Sequence, residues 1–340
     1  MLTNIKFLSM KIRFLSLLLL LVIFFAASCE TDNPDVPEPV APEQPEEPEE
    51  PEEPVAEAII EIPDEIFKAA LVSSNSIDTT GDGIGDSDID LNNDGEIQRS
   101  EAEAIKGLIM NFFYHQIGRL VDFSGIENFI NLEYLKITGH GDGVGVGVTG
   151  SELLSYDFTG LKNLKYLEFN NLATNFSDVL DLSGLSNLTE VKLINDKPHY
   201  EYFTDDNISL PVNFMDVNFE GTDSLIDLDI TNSFLNIDYC QVPSLKKLNT
   251  YYLEGGEPEV FDFHCLTNLE WLDISENRIH SLILKNNSVL TTLRAEDIGG
   301  SNMGNYPYVE YICIDDIPEE FEQIATLRDE NTVVVTDCEF

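Results

Sequence analysis

Basic residues are scarce in this chain: 18 lysines and arginines stand against 63 aspartates and glutamates, a formal net charge of −45 over 340 residues. Such an excess of negative charge repels phosphate backbones and anionic headgroups, which excludes nucleic acid and bare lipid surfaces as partners. Tryptophan occurs once, at Trp271, and the five histidines show no H-x-x-x-H spacing and no Cys/His cluster along the sequence. G-x-S-x-G is absent. "GVGVTG" (145–150) matches G-x-G-x-x-G in form only, because no Rossmann helix or acidic ribose partner follows it, and it reads as an insertion. His264 and His280 accordingly read as surface or packing residues. Catalytic groups can assemble from distant positions, so a hydrolase stays as a remote alternative.

A run long enough to cross a bilayer, roughly 18 to 20 apolar residues, is also missing. The apolar stretch from Phe14 to Ala27 is shorter, follows basic residues and ends in small ones, which is the layout of an export signal over residues 1–28. Met10 offers a second start that would give the signal a more usual length. "AASC" resembles the lipobox of bacterial lipoproteins, and the resemblance implies lipidation of Cys29 as the first mature residue. Cleavage removes Lys6, Lys11 and Arg13 and no acid, so the mature chain is more acidic still. Residues 29–57, rich in Pro and Glu, hold no aromatic and cannot bury enough to fold. "EEPEEPEEP" fits the three-residue turn of polyproline II, and at about 3.1 Å per residue the tether reaches roughly 80 Å. Acidic residues just after the lipidated cysteine resemble surface-export signals of some Gram-negative lipoproteins. The implied location is the outer membrane, exposed at the cell surface, with membrane contact through the lipid anchor only and the protein a monomer.

From residue 105 onward L-x-x-L-x-I recurs, with first positions at Ile105, Leu132, Leu164, Leu188, Leu225, Leu245, Leu269, Leu290 and Val309. Periods near 20 to 29 residues are those of a leucine-rich repeat solenoid, an α/β repeat with parallel strands on its concave face. "LEWLDISENRI" (269–279) is the fullest copy, and its Asn277 is expected to turn inward and bond the backbone where the chain leaves the strand. Leu253 and Ile298 replace that asparagine in neighbouring copies. The domains are then a helical cap over 58–108, repeats over 109–305 and a helix-strand cap over 306–340.

Two columns of side chains should face outward from the stacked strands. One is Tyr134, Tyr166, Glu190, Asp227, Lys247, Trp271, Thr292 and Tyr311; the other is Ile109, Lys136, Glu168, Lys192, Asp229, Asn249, Asp273 and Arg294. Tyr134, Lys136, Tyr166, Lys192, Lys247, Trp271 and Arg294 form the expected ligand face, since exposed aromatics beside cations suit a protein hot spot or a sugar ring. The alternative is a self-satisfied ladder of alternating charges and mutually packed aromatics.

"DLNNDGEIQRSE" (90–101) carries oxygen donors at calcium-loop spacing. Asp90, Asn92 and Asp94 would each give a side-chain oxygen, Glu96 its carbonyl, Gln98 a contact through water and Glu101 two oxygens, with Gly95 at the sharp turn and Ile97 anchoring the loop. Helices are expected on both sides, with Pro63 at the first position of one and a capping box from Ser100 opening the other. A weaker second site is Asp78, Asp82 and Asp86. One complete loop favours a structural staple, pinning the cap over the first repeat, over a sensor that opens paired hands.

"IPDEIFKAAL", "DGEIQRSEAEAI" and "FSGIENFINLEYL", with a closing "CIDD" and later "DC", resemble exported, often lipidated leucine-rich repeat proteins of Gram-negative bacteria, over residues 60–340. The resemblance implies a protein-binding or adhesion role, with glycan capture for nutrient uptake as the alternative. With Cys29 acylated, four cysteines remain, an even number that suggests disulfides in an exported chain. Cys313 and Cys338 bracket the terminal helix and strand, and a bridge there would close the last repeat and stabilise it by roughly 3 kcal/mol. Cys240 and Cys265 lie about one repeat apart but one residue out of register, so their pairing is left open.

Overall fold

The computed structural model describes residues 57–73, 75–112, 120–139, 152–155, 157–174, 179–195, 197–198, 215–253, 260–298 and 309–338. The export signal, Cys29, the tether up to residue 56 and the 145–150 insertion lie outside the described residues.

Alternation of leucines with polar residues builds the main sheet. Leu132, Leu135 and Ile137 are fully buried, as are Leu188, Val191 and Leu193, while the residues between them stay partly open. Strands Gly107–Asn111, Tyr134–Thr138, Tyr166–Asn170, Glu190–Ile194, Asp227–Asp229, Lys247–Asn249, Trp271–Asp273 and Thr292–Arg294 pair in parallel, in chain order, as one eight-stranded sheet. One parallel strand per repeat, each stacked on the last, is a leucine-rich repeat solenoid. The ninth copy departs from the expected stack. Its strand, Tyr311–Cys313, pairs instead with Ser281–Ile283 and Val333–Val335 in a separate four-stranded sheet. Val309, Ile312 and Ile314 are fully buried there too, so apolar spacing cannot distinguish the two sheets.

Between main strands each repeat makes a turn built on an aspartate or asparagine. Asp122, Asp157, Asp181, Asn218, Asp238, Asp262 and Asn286 each accept from the backbone N–H two residues on, at 2.8 to 3.1 Å. The next residue is commonly aromatic and buried, as at Phe123, Phe158, Phe219 and Phe263, which adds a second core column. A few residues later, Asn131, Asn163, Asn187 and Asn268 donate from their side-chain amides to carbonyls of the preceding turn, Glu103, Ile130, Lys162 and Pro243, at 2.7 to 2.9 Å. Asn277 is 1 % exposed; its amide donates to the carbonyls of Thr250, Ile274 and Ser275, and its oxygen accepts from Leu253 N.

The first helix, Glu65–Ser73, is capped by Asp64, whose Oδ1 accepts from Ile66 N and Phe67 N at 2.7 and 2.9 Å. Pro63 therefore precedes the cap residue rather than opening the helix, because the carboxylate satisfies the free amides better than proline can. Phe67 packs on Phe123 with ring centroids 4.8 Å apart, and Asp64 Oδ2 accepts from Asp122 N, seating the cap on the first repeat. The second helix, Arg99–Ala104, starts at Gln98 and not at Ser100: Glu101 occupies its third position and reaches back to Gln98 N at 2.9 Å. The Asp78–Asp86 loop lies between the first helix and residues 90–101, so the arrangement is not a contiguous helix-loop-helix.

At the other end Pro318–Gln323 forms a helix, followed by a 3-10 turn and the strand Val333–Val335, and Cys313 is bonded to Cys338. Glu320 in that helix is only 3 % exposed; Oε2 accepts from Asp315 N, and Oε1 has no partner among the described residues. Burial, reinforced by the charge of Asp315, pushes its carboxyl up to about 7 against the bond from Asp315 N. The folded chain thus holds this proton more tightly than the unfolded one. The contribution is full below the ordinary 4.5 and is lost as pH rises through about 7. Glu320→Gln, which stays neutral, is expected to stabilise the protein by about 1–2 kcal/mol near pH 8 and to change little near pH 5. Urea melts at the two pH values check this, and an equal effect at both would contradict it.

Candidate functional site

Parallel pairing sets the two outward columns in the register expected. Tyr134 lies opposite Tyr166, then Glu190, Asp227, Lys247, Trp271 and Thr292; Lys136 lies opposite Glu168, then Lys192, Asp229, Asn249, Asp273 and Arg294. Tyr311 is not among them, for the reason given above. The Tyr134 and Tyr166 rings stack at 4.5 Å with planes 6° apart. The Tyr166 hydroxyl donates to Glu168, and burial, with that bond, raises its pKa well above that of the ordinary phenol, so it stays protonated.

The alternating ladder forms only in part. Lys136 pairs across strands with Glu168 at 3.2 Å, but Lys192 pairs with Glu190 of its own strand at 2.7 Å and donates to the Tyr166 oxygen at 3.3 Å. Burial disfavours the Lys192 ammonium, yet the Glu190 bond and the surrounding carboxylates outweigh it and hold its pKa above the ordinary range. Asp229, Asn249 and Asp273 bend along their own strands to cap Thr231, Tyr251 and Ser275, because a three-residue strand leaves free amides just past its end. Lys247 joins Asp227 at 2.8 Å and also lies 5.5 Å from the Trp271 ring centre, the same distance as Arg294. The predicted ligand-face side chains thus form two clusters: Tyr134, Lys136, Tyr166 and Lys192 near the first repeats, and Lys247, Trp271 and Arg294 near the last. Tyr251 and Tyr252, both 39 % exposed, add aromatic surface just past the end of the Lys247–Asn249 strand; Tyr252 takes a left-handed φ of 52°, uncommon for a bulky residue.

In the 90–101 loop Gly95 has a φ of 81° and Asn93 one of 60°, making the sharp turn. Asp90 accepts from Asp94 N at 3.0 Å and Gly95 N at 2.8 Å, and Glu101 accepts from Leu91 N at 2.9 Å as well as from Gln98 N. Asp94 is linked to Asn92 and Gln98 side chains, and the bond from Glu96 N chiefly holds its pKa below the usual value. Glu96 points its carboxylate away, to Lys68 at 2.6 Å. Ile97 is buried, and its carbonyl accepts from Ile60 N. In the second loop Asp78 is engaged by the amides of Thr80, Gly81, Asp82 and Gly83, the last of these contributing most to its lowered pKa, while Asp82 caps Ile84 and Asp86 binds Thr79.

A third cluster has no counterpart in the sequence reading. Among the described residues the one trio of metal-type ligand atoms within 4.8 Å of one another is Cys240, His264 and Cys265. Cys240 and Cys265 form a disulfide with Cα atoms 4.9 Å apart, so the one-residue offset is absorbed by the turn. Adjacent turns of the solenoid bring together residues 25 positions apart, which is why no linear motif shows them.

No protein-family model and no curated protein matches the chain. Among solved structures it is similar to an internalin C2 from Listeria monocytogenes, 20 % identical over 83 % of this chain and 88 % of that one, with a TM-score of 0.33. It is also similar to an internalin (InlF) of the same organism, 15 % identical over 72 % of this chain and 90 % of that one, with a TM-score of 0.20. Neither likeness is close enough to transfer a partner or an activity.

Proposed function

We propose that this chain is a surface-anchored binding or adhesion lipoprotein that offers its eight-stranded face to a protein partner. The observation that carries this is the state of Trp271, whose ring is flanked by Lys247 and Arg294. An aromatic with cations beside it is a hot-spot arrangement for a protein surface, while a sugar would need the ring face that the cations crowd. Stacking likewise takes one face each of Tyr134 and Tyr166. Arg294 is exposed, and among the described residues no acidic group pairs with it, so an acidic side chain of the partner is its natural mate. Glycan capture is the second reading, favoured only by the exposed Tyr251 and Tyr252.

The cap and anchor complete the proposal. Asp90 and Glu101, each 6 % exposed, are buried carboxylates with no cationic partner among the described residues, and the loop offers oxygen donors alone. That donor set fits calcium, held by Asp90, Asn92, Asp94, the Glu96 carbonyl and Glu101. The ion would neutralise the buried carboxylates and fix the cap that Phe67 seats on the first repeat. Cys29 would carry the lipid and the acidic stretch after it the surface address, placing the protein on the outer membrane.

Arrays of extracellular proteins and of polysaccharides, probed with the whole protein, test the binding reading. Saturable binding to a protein, weakened by salt and by Lys247→Ala and reduced at least tenfold by Trp271→Ala, is the expected result. Saturable binding to polysaccharide alone, abolished by Trp271→Ala, would replace it with glycan capture.

A further inference from the structure

The two disulfides close spans of equal length in unlike surroundings. Cys313 is fully buried, whereas Cys240 is exposed and Cys265 half-buried. Beside the exposed pair, Asp262 Oδ1 lies 2.8 Å from His264 Nδ1 and also accepts from His264 N, which fixes the imidazole with its other nitrogen toward sulfur. His264 Nε2 is 3.1 Å from Cys265 Sγ and 3.8 Å from Cys240 Sγ. A carboxylate bonded to one ring nitrogen while the other faces two cysteine sulfurs is the arrangement that orients a histidine toward a metal ion. Carboxylate, imidazole and both sulfurs come from successive Asx turns of the repeat scaffold.

We propose that Cys240, Cys265 and His264 form a redox-gated site for one thiophilic divalent ion of the zinc class. In the oxidised state the sulfurs are bonded to each other and offer no thiolate. An external dithiol reduces the bridge: one of its thiolates attacks a cysteine sulfur and expels the other cysteine, and its second thiolate then releases the first. Two electrons pass to the protein, and the dithiol leaves as its own disulfide. The two protein thiols lose their protons on binding the ion, His264 gives the third ligand through Nε2, and the fourth position is left to water or an external donor. This proposal is independent of the binding-face reading, since none of its residues belongs to the two outward columns.

Cobalt(II) is the probe. The whole protein is treated with limiting dithiol until mass spectrometry shows Cys240 and Cys265 alkylatable and Cys313–Cys338 intact, freed of reductant without oxygen, and titrated. One equivalent is expected to bind with thiolate-to-cobalt charge-transfer absorption and the strong visible bands of tetrahedral cobalt. The oxidised protein and the Cys240→Ser/Cys265→Ser variant should lack both features, and cobalt held by the oxygen-rich loops would give only weak octahedral bands. His264→Ala should weaken binding at least tenfold, and Asp262→Asn by roughly ten- to a hundredfold. Near-ultraviolet circular dichroism on the same samples reports whether the repeats stay packed. A packed, reduced protein without charge-transfer absorption overturns the proposal, as does a spectrum unchanged by removing both cysteines or His264. Loss of packing on opening this one bridge overturns it too, because the bridge would then be purely structural.

Discussion

Asn277→Ala is expected to cost the folded protein about 3 kcal/mol, measured as a lower urea midpoint with an unchanged slope. Asn277 sits in the core and closes four backbone bonds, three to carbonyls and one from Leu253 N. Alanine would leave these groups buried without partners, and each such loss costs on the order of 1–3 kcal/mol before the structure relaxes or water enters. Leu253 and Ile298 show that the solenoid accepts an apolar residue at this place in other repeats, but around Asn277 the carbonyls of Thr250, Ile274 and Ser275 are already turned toward the amide. Asn277→Leu should therefore be no milder than alanine. A cost below about 0.5 kcal/mol for both variants would mean that the asparagine is not the clamp its contacts describe.

Calcium is expected to raise the stability of the wild-type protein by about 2.7 kcal/mol at a hundredfold excess over its Kd, and Glu101→Gln to remove most of that gain. Glutamine keeps the length of the side chain, but its single carbonyl oxygen can accept from only one of Gln98 N and Leu91 N, which Glu101 serves with different oxygens, so the variant's own metal-free melt is the baseline. What it loses is a negative charge and the two-oxygen grip at the twelfth position of the loop. Calorimetry with and without calcium reads both affinity and melting temperature. Equal values for the two proteins would end the staple hypothesis. Hydrogen exchange then separates staple from switch: added protection confined to residues 65–110 fits the staple, whereas changes spreading over the repeats would require a conformational coupling that a single loop does not suggest.

The repeat architecture was legible because leucine spacing repeats, and eight registers read from the sequence fall on eight hydrogen-bonded strands. Val309 was misassigned because two parallel sheets of one solenoid demand the same apolar pattern. The Asx turns and the apolar column after them are written in "DFSGIENF", "DFTGLKNL" and "DLSGLSNL", but L-x-x-L-x-I spans only the other half of each turn. On the outward face the aromatic stack of Tyr134 and Tyr166 followed from register alone. The pairing of Lys192 with Glu190 did not, because it depends on rotamers and on which carboxylates the short strands divert to their own amides. The Asp262–His264–cysteine cluster is hidden for a different reason: Asp262, His264 and Cys265 share one turn, but the second sulfur, Cys240, reaches them only from the preceding turn.

The side-chain amides of the turn asparagines run one way, although main-chain amides at strand ends, such as Phe112 N to Thr138 O and Ile230 N to Asn249 O, run the other. Asn131, Asn163, Asn187 and Asn268 each hand a hydrogen to a carbonyl nearer the N-terminus, and main-chain amides such as Lys165 N and Glu270 N do the same toward Glu133 and Lys246. A chain that emerges N-terminus first, from a ribosome or through a translocation pore, therefore offers each new turn a template whose acceptors are already laid down. Growth can proceed coil by coil from the capped end without waiting for distant sequence. The same directionality makes the seated N-terminal cap the foundation of the stack: loosening it removes the template for the first turn, and through that turn weakens the order of those that follow.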